Sequence, residues 1–251
     1  MAIINQNITQ SFLQQHDGVL ALDEEMRIRK YAETYAVVED SIAVVSNFRT
    51  NQCHIYMGKT AEILGMEKAG TYLIGDSAFE MEIFSCVHPD DMVIRDLQEL
   101  IFMNMMKTPA NEADGYPYYM ETVMRMKDAD GKYHNVCHRI HYFKSADKPG
   151  ISYGICIYNL TQQNYKYARV IRKLTGEERR IEVTDLRNLL SDREKEVLLL
   201  IREGLASKEI ADRIGISKHT IDRHRQNIIE KLQVSNTTQA CFKAKDLGLI
   251  K

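Results

Sequence analysis

The chain contains no tryptophan, only four prolines and no apolar run near the ~18 consecutive residues that a membrane-spanning helix requires. Its N-terminal stretch, MAIINQNITQSF, has neither a basic leader nor a long apolar segment, so we expect no secretory signal. The five cysteines are odd in number, scattered and without CxxC spacing, which favours reduced thiols over a disulfide framework. These absences argue against a membrane-embedded or disulfide-stapled protein, and we expect a cytoplasmic location.

The remaining composition is that of an ordinary globular protein, with 44% hydrophobic and 27% charged residues. At 251 residues the chain fits two modest domains better than one. The net charge of −2 is unevenly distributed, because residues 187–251 hold 13 Lys and Arg against 9 Asp and Glu, whereas the preceding residues hold 20 against 26. A basic C-terminal region is consistent with a polyanionic partner, although a solvated surface gives the same pattern.

Capping residues divide this basic region into helices. Ser191 precedes DREKEVLLLIREG, with Glu194 placed as in a capping box and Gly204 suited to end the helix. Ser207 is expected to cap a second helix, KEIADRI, which Gly215 ends. Isoleucines, leucines and valines recur on one face of each segment, which predicts helices packed around a common core.

A third helix follows after a very short turn. Ser217 is placed to cap KHTIDRHRQNIIEKL, and a fourth helix is expected from near Thr237 to Gly248. Only the residues GIS separate the second helix from the third. Two helices joined by a tight glycine-containing turn, the second polar on its outer face, are typical of a helix-turn-helix.

The stretch LSDREKEVLLLIREGLASKEIADRIGISKHTIDRHRQNIIEKLQV resembles the four-helix DNA-binding domain of LuxR-type transcriptional regulators. It matches the patterns L-[ST]-x-R-E-x-E-V-L, G-x-[ST]-x-K-E-I-A, I-S-x-x-T-[VI]-x-x-H and N-I-x-x-K-L in that order. The resemblance covers about 60 residues and implies double-stranded DNA as partner, with a contact to RNA polymerase. We expect a homodimer on an inverted-repeat operator, because two-fold protein symmetry imposes operator symmetry.

The same resemblance supplies candidate DNA-binding residues. Lys208 and Thr220 lie near helix starts, where backbone N–H groups favour a phosphate, so they are expected to position the duplex. The resemblance places Lys218, His219, Asp222, Arg223 and Gln226 toward the major groove, with Asn227 and Lys231 nearer the backbone. Arg223 suits guanine O6 and N7, and Gln226 suits adenine. The alternative for each of these residues is a long polar side chain that is exposed to solvent and does not contact DNA.

Asp222 departs from the family pattern, because many relatives carry lysine at that point. A carboxylate near phosphates costs affinity unless it is offset. Two roles stay open for Asp222: it accepts a hydrogen bond from cytosine N4, or it orients Arg223 or Arg225 through a salt bridge.

Residues 41–162 alternate in the manner of an α+β domain. Two short strands, SIAVVSNFRT and NQCHIYMG, precede helical segments, and three longer strands follow them. The order of elements resembles a PAS sensor domain, an antiparallel sheet with helices on one side. HPDD at residues 88–91 and NLT at 159–161 carry the resemblance, although the Asn replaces the usual Asp of that Asp-x-Thr ending.

One face of the strand YYMETVMRM gathers Met120, Thr122, Met124 and Met126. Methionines line adaptable apolar pockets, so this face is a candidate site for a small apolar ligand, and plain core filling is the alternative. We expect no cofactor, because the helix after HPDD offers no histidine for haem and no LOV-type Asn-Cys-Arg motif is present. We expect no metal site either, because His134 and His138 face one side of a strand and Cys137 and His141 the other.

Two joints flank the sensor region. Residues 1–40 form a predicted N-terminal helical segment, with an amphipathic helix over 24–38, and residues 163–186 form a predicted helical linker to the DNA-binding domain at 187–251. Both helices carry apolar residues without an evident place in a PAS core, and these form the candidate dimer interface: Met26, Ile28, Tyr31, Tyr167, Val170 and Ile171.

Two functions compete at this point. The first is a sequence-specific transcription regulator whose PAS-like module senses a signal or drives dimerisation. The second is a sensory module that binds a partner protein and uses the helix-turn-helix only as a DNA tether. We expect no enzymatic activity, because no nucleophile, base and orienting group can be assembled and no phosphate-cradling glycine loop occurs.

Overall fold

A computed structural model describes residues 22–145, 149–182 and 188–250. These residues fall into two compact units, divided between Val183 and Thr184. No helix within the described ranges is long and apolar enough to cross a membrane. The first half of the predicted N-terminal segment lies outside the described residues.

The N-terminal unit alternates strands with helices. Its helices are α1 (Leu22–Val38), α2 (Lys59–Ile63), α3 (Met81–Phe84), α4 (Pro89–Met106) and α5 (Pro109–Ala113). Its strands are β1 (Ile42–Asn47), β2 (Gln52–Met57), β3 (Tyr72–Gly75), β4 (Tyr118–Lys127), β5 (Tyr133–Phe143), β6 (Tyr153–Leu160), β7 (Ala168–Arg172) and β8 (Glu178–Ile181). They form one antiparallel sheet in the order β3-β2-β1-β6-β5-β4-β7-β8.

Two of the three long strands follow from alternation in the sequence. Burial alternates from Tyr119 onward in β4 and from Asn135 onward in β5, so the even-numbered positions there form the inner face, whereas β6 is buried at six consecutive positions. The turn between them is the predicted DADG, in which the Asp128 carboxylate accepts from the backbone N–H of Asp130 and Lys132, and Gly131 adopts φ 82°. The hairpin prediction is confirmed.

Helices cover both faces of the sheet, because α1, which the sequence analysis placed outside the PAS-like domain, packs on the face opposite to α4. Helix α4 packs on the inner face, whereas Ile28 and Ala36 of α1 pack with Val45 and Ile155 on the opposite face. Strand β1 is buried at every position and therefore needs cover on both sides. Ile28 is thus a core residue, and its assignment to a dimer interface is corrected.

An ion pair fixes the start of α4 against β4. His88 caps the helix by accepting from the Asp90 N–H, and Pro89 occupies the first helical position. The Asp91 carboxylate accepts from Nε and Nη2 of Arg125 at 2.8 and 2.7 Å and from its backbone N–H at 2.8 Å. The HPDD motif therefore anchors a helix to the sheet.

The predicted helical linker after Thr161 is wrong where the structure describes it. Strand β7 pairs with β4, and β8 pairs with β7, so this segment extends the sheet. Val170 is fully buried and Ile171 nearly so, which removes both from the candidate dimer interface, while Tyr167 is half-buried. A helix would have satisfied its own backbone groups but left those along the edge of β4 unpaired, whereas strand β7 satisfies both.

The C-terminal unit is a helical bundle. Its helices are α6 (Asp192–Arg202), α7 (Ser207–Ile214), α8 (Lys218–Leu232) and α9 (Thr237–Asp246). Their apolar stripes meet in one core, which contains Val197, Leu198, Ile210, Ile221, Ile228, Leu232, Ala240 and Ala244. The four predicted helices are present, with α6 starting from the expected Ser191–Glu194 capping box.

Candidate functional site

Helix α8 presents one buried and one open side. Ser217 caps it by accepting from the Thr220 N–H at 3.1 Å, as the sequence predicted. Ile221, Ile228 and Leu232 are fully buried in the bundle. The side opposite this stripe carries the polar side chains, so it is free to enter a groove.

The turn before α8 depends on Gly215, which adopts the left-handed conformation at φ 71°. The preceding helix α7 begins one residue earlier than predicted. Ala206 occupies the N-cap position and donates its N–H to Glu209 at 2.7 Å, whereas Ser207 is the first helical residue. Lys208 is exposed in the first turn of α7, near the free N–H groups of the helix start.

The structure brings the predicted groove residues onto one surface of α8. Lys218, His219, Asp222, Arg223 and Gln226 are exposed, spaced over two turns. In the described ranges Arg223 makes no hydrogen bond or ion pair. The Gln226 amide donates to Glu230 at 3.0 Å along the helix.

Thr220 on the first turn of α8 and Asn227 on the third, both expected to contact the DNA backbone, are partly buried. The Thr220 hydroxyl lies 2.8 Å from that of Ser217, so it forms part of the cap. Asn227 is partly buried one turn beyond Arg223.

Asp222 pairs with Lys218, not with an arginine. Its Oδ2 accepts from Lys218 Nζ at 3.0 Å, and hydrogen bonds from Ser207 and Lys218 lower the pKa of its carboxyl. Arg225 donates instead to the Thr237 hydroxyl of α9 at 3.1 Å. Asp222 is therefore ionised beside Lys218, and it offsets one of the positive charges at the start of the helix.

Lys231 has an internal partner. Its ammonium lies 2.7 Å from Oε2 of Glu194, which is 3% exposed. The same oxygen accepts from the Ser191 N–H at 2.8 Å. Although burial opposes it, these two contacts hold the pKa of Glu194 below its usual value. Lys231 thus ties the end of α8 to the start of α6, a contact that the sequence pattern did not indicate.

In the sensor unit, the predicted ligand face lies in the core. Met120, Thr122, Met124 and Met126 are each at most 2% exposed on the inner face of β4. A void of about 10 Å³ lies beside Thr122 and Met124, with Arg95 and Gln98 on its helical wall. As the structure stands, that space holds at most one water molecule.

A buried polar cluster extends from Arg95 at the wall of this void, and sequence reasoning missed it. Arg95 of α4 pairs with Asp96 at 2.9 Å and with Glu99 at 2.5 Å, and all three are buried. Tyr158 of β6 donates to the buried Glu80 at 2.6 Å, and burial raises the pKa of that carboxyl. The spacing of Arg95 and Glu99 by one helical turn was the available signal, but the same spacing is typical of a solvated helix face.

A larger groove lies on the other face of the sheet. It has a volume of about 400 Å³ and is lined by aromatic and aliphatic side chains of α1 and of the outer strand positions, among them Tyr31, Tyr35 and Phe143. In the described part of the chain no three His, Cys, Asp or Glu side chains converge as a metal site would require.

Comparison with known proteins identifies the C-terminal unit. Residues 188–244 match the family model described as bacterial regulatory proteins, luxR family. The transcriptional regulatory protein DesR of Bacillus subtilis (strain 168) is 42% identical over 64 residues, which are 26% of this chain and 32% of DesR. The transcriptional activator protein AnoR of Acinetobacter nosocomialis is 39% identical over 70 residues, 28% of this chain and 29% of AnoR.

These curated relatives are matched over about a third of their own length. The C-terminal unit is therefore a LuxR-type helix-turn-helix domain. A solved structure of a phage VqmA–DPO complex aligns with 90% of this chain and 89% of its own, at 16% identity and a TM-score of 0.30. A score at that level does not establish a shared fold.

Proposed function

We propose that the protein is a sequence-specific, double-stranded-DNA-binding transcription regulator, in which the N-terminal unit is a PAS-like sensor and dimerisation module. The observation that carries the proposal is the two-sided helix α8. Its apolar stripe is fully buried in a LuxR-type bundle, whereas Lys218, His219 and Arg223 on its other side are exposed. An exposed row of donors on a second helix is what major-groove reading requires.

The remaining candidates divide by task. Lys208 and Thr220 position phosphates, Arg223 reads guanine, and Gln226 reads adenine after releasing Glu230. Because Lys218 and Asp222 share an ion pair, Asp222 limits non-specific attraction at this end of the helix. Asn227 lies nearer the sugar-phosphate backbone of the DNA, and Lys231 pairs with Glu194 inside the domain.

The assignment of a PAS-like sensor is supported by the order of elements in the N-terminal unit. Two strands, a helical stretch and three long strands follow one another, and the three long strands are neighbours in the sheet. HPDD opens the helix that packs on the inner face. We also propose a contact with RNA polymerase, which rests on the LuxR resemblance alone.

The exposed surface of α1 supports a homodimer. Met26 is 64% exposed and Tyr31 46% exposed, and Val37 and Val38 continue the apolar surface toward the end of the helix. These side chains replace Ile28, Val170 and Ile171 as the candidate interface. A dimer would present two recognition helices to half-sites about one helical turn apart in an inverted repeat.

Selection of bound DNA from a random-sequence pool by the full-length chain tests the proposal. We expect enrichment of one inverted repeat, and Arg223→Ala should relax the preference at one base pair in each half. The competing function, a protein-binding module with the helix-turn-helix as a tether, predicts DNA binding without enrichment of any motif.

Sedimentation of the full chain at micromolar concentration tests the dimer. We expect a dimer that Met26→Glu and Tyr31→Glu together convert to monomer, with weaker binding to paired half-sites and unchanged binding to one. Replacement of two exposed lysines at the β4–β5 turn, away from α1, Lys127→Glu and Lys132→Glu, serves as the control. A monomeric wild-type chain that binds one half-site as tightly as two would contradict the dimer.

A further inference from the structure

Polar side chains form a row across the inner face of the sheet. Thr122 of β4, His138 of β5 and Tyr158 of β6 are successive cross-strand partners. Thr122 is 2% exposed, and the other two are fully buried. The His138 and Tyr158 rings stack with centroids 4.6 Å apart. The core of the sensor unit is therefore polar at its centre, where the neighbouring positions are methionine.

Several atoms in this row lack the partners that buried polar groups normally have. Both ring nitrogens of His138 and the Thr122 hydroxyl have no hydrogen-bond partner among the described residues. Desolvation, with the charge of Arg95 adding to it, lowers the pKa of His138 well below its ordinary value. The imidazole is therefore neutral and offers one N–H donor and one acceptor nitrogen. Unpaired groups of this kind are costly in a protein interior unless something binds to them.

The positive charge of Arg95 is already compensated. Arg95 contacts Asp96 and Glu99, and its guanidinium lies 4.3 Å from the centroid of the Phe84 ring. The Nε–H of Arg95 is a donor, and it has no hydrogen-bond partner in the described part of the chain. An additional anion brought into this site would be buried without a counter-ion, because Arg95 is already shared between two carboxylates.

We propose, building on the sensor role proposed above, that this cluster recognises a small uncharged molecule carrying both a hydrogen-bond donor and an acceptor. The Arg95 Nε and the His138 N–H supply donors for its acceptor, and the unprotonated His138 nitrogen and the Thr122 hydroxyl accept from its donor. This ligand class replaces the apolar ligand that the methionine face suggested.

Binding requires the core to open. The void of about 10 Å³ beside Thr122 and Met124 is too small for such a molecule, but Met120, Met124 and Met126 are unbranched and can repack. The same void is bordered by Gln98 and by Lys166, whose side chain is half exposed, which gives a short route from solvent.

The test uses the full-length chain with methyl-labelled methionine and three probes of similar size. These are 2-pyridone, which has a donor and an acceptor, toluene, which has neither, and benzoate, which is charged. We expect millimolar 2-pyridone to shift the methyl resonances of Met120, Met124 or Met126 and to raise the melting temperature of the sensor unit. Toluene and benzoate should do neither.

Two variants locate the effect. Thr122→Val and His138→Phe should each weaken 2-pyridone binding at least tenfold while leaving the domain folded, because the first is nearly isosteric, the second keeps a planar ring, and both remove an unpaired polar group. Tyr153→Phe removes a buried hydroxyl on the opposite face and should leave binding unchanged. If His138→Phe disturbs folding, Thr122→Val alone decides the question.

Three outcomes overturn the inference: toluene binds and 2-pyridone does not, Thr122→Val binds 2-pyridone as the wild type does, or no probe binds. The DNA selection described above is independent of these measurements. Enrichment of a motif together with failure of every probe would reject the ligand class and leave the regulator proposal standing. Probe binding without any DNA motif would reject the regulator and retain the ligand site.

Discussion

Replacing Lys231 by methionine should weaken the fold of the C-terminal domain and leave its salt-dependent attraction to DNA unchanged. The ammonium of Lys231 lies 2.7 Å from a Glu194 carboxylate that is 3% exposed. Methionine keeps most of the aliphatic stem but leaves this carboxylate without its cation. Among the described residues, the carboxylate then keeps the hydrogen bond from the Ser191 N–H.

The size of the effect follows from burial. Breaking a fully buried ion pair by removing one partner costs about 3–5 kcal/mol, whereas exposed pairs contribute at most about 1 kcal/mol. The Lys231 side chain is 40% exposed, so we expect a loss of about 1–2 kcal/mol, between these two limits. For a domain of this size, that corresponds to a fall in melting temperature of about 5–15 °C.

Urea and thermal unfolding of the fragment 187–251 measure the stability, and a salt titration of DNA binding measures the phosphate contacts. Lys208→Met is the matched control, because Lys208 is exposed at the start of α7. It should reduce the salt slope by about one unit without changing the unfolding midpoint. If Lys231→Met lowers the slope and leaves stability intact, Lys231 is a phosphate contact and the internal role is refuted.

Three further predictions rest on individual contacts. Arg223→Ala should lose about 1–3 kcal/mol at the best operator and little on random DNA, as measured by competition binding; equal weakening on all sequences would make Arg223 a phosphate contact. Ser217→Ala removes the acceptor for the Thr220 N–H and should destabilise the C-terminal fragment by about 1 kcal/mol in urea unfolding, whereas Ser217→Asp should restore the cap. In the N-terminal unit, Arg125 hydrogen bonds hold the pKa of Asp91 at about 2 against the opposing effect of burial. Because that pKa is depressed on folding, the Asp91 carboxylate stabilises the fold by about 2 kcal/mol above pH ~4, and this stabilisation is lost as the pH falls toward 2. Asp91→Asn should therefore flatten the loss of stability with falling pH, as followed by circular dichroism. An unchanged pH dependence would show that other groups control it.

Elements whose formation depends on neighbours in the sequence were predictable. The Ser191–Glu194 capping box, the Ser217 cap and the glycine at residue 215 are local hydrogen-bonding and backbone preferences, and each is found where the sequence indicated. The hairpin at DADG and the inward face of β4 follow from alternation in the same way. In these places local preference and tertiary packing favour the same structure.

Elements whose state depends on distant partners were misjudged. Residues 168–172 have a pattern that suits an amphipathic helix, but the open edge of β4 offers hydrogen bonds that favour a strand. Ile28 lacked an evident partner in sequence, yet it packs beneath β1 and β6 because those strands are apolar on both faces. Sequence patterns report which residues avoid water, but not which surface buries them.

The sequence by itself determined the helix-turn-helix and its exposed recognition face, because a run of caps, stripes and family-specific residues within about 60 positions specifies a bundle without reference to the remainder of the chain. Only the tertiary structure decided what the charged and polar side chains do. It assigned Lys231 to Glu194, 37 residues away in the sequence, and it buried His138 near Arg95 in the sensor core. The physical reason is that an ion pair or an unpaired hydrogen-bonding group is defined by atoms within about 3 Å of each other, often brought together from distant parts of the chain.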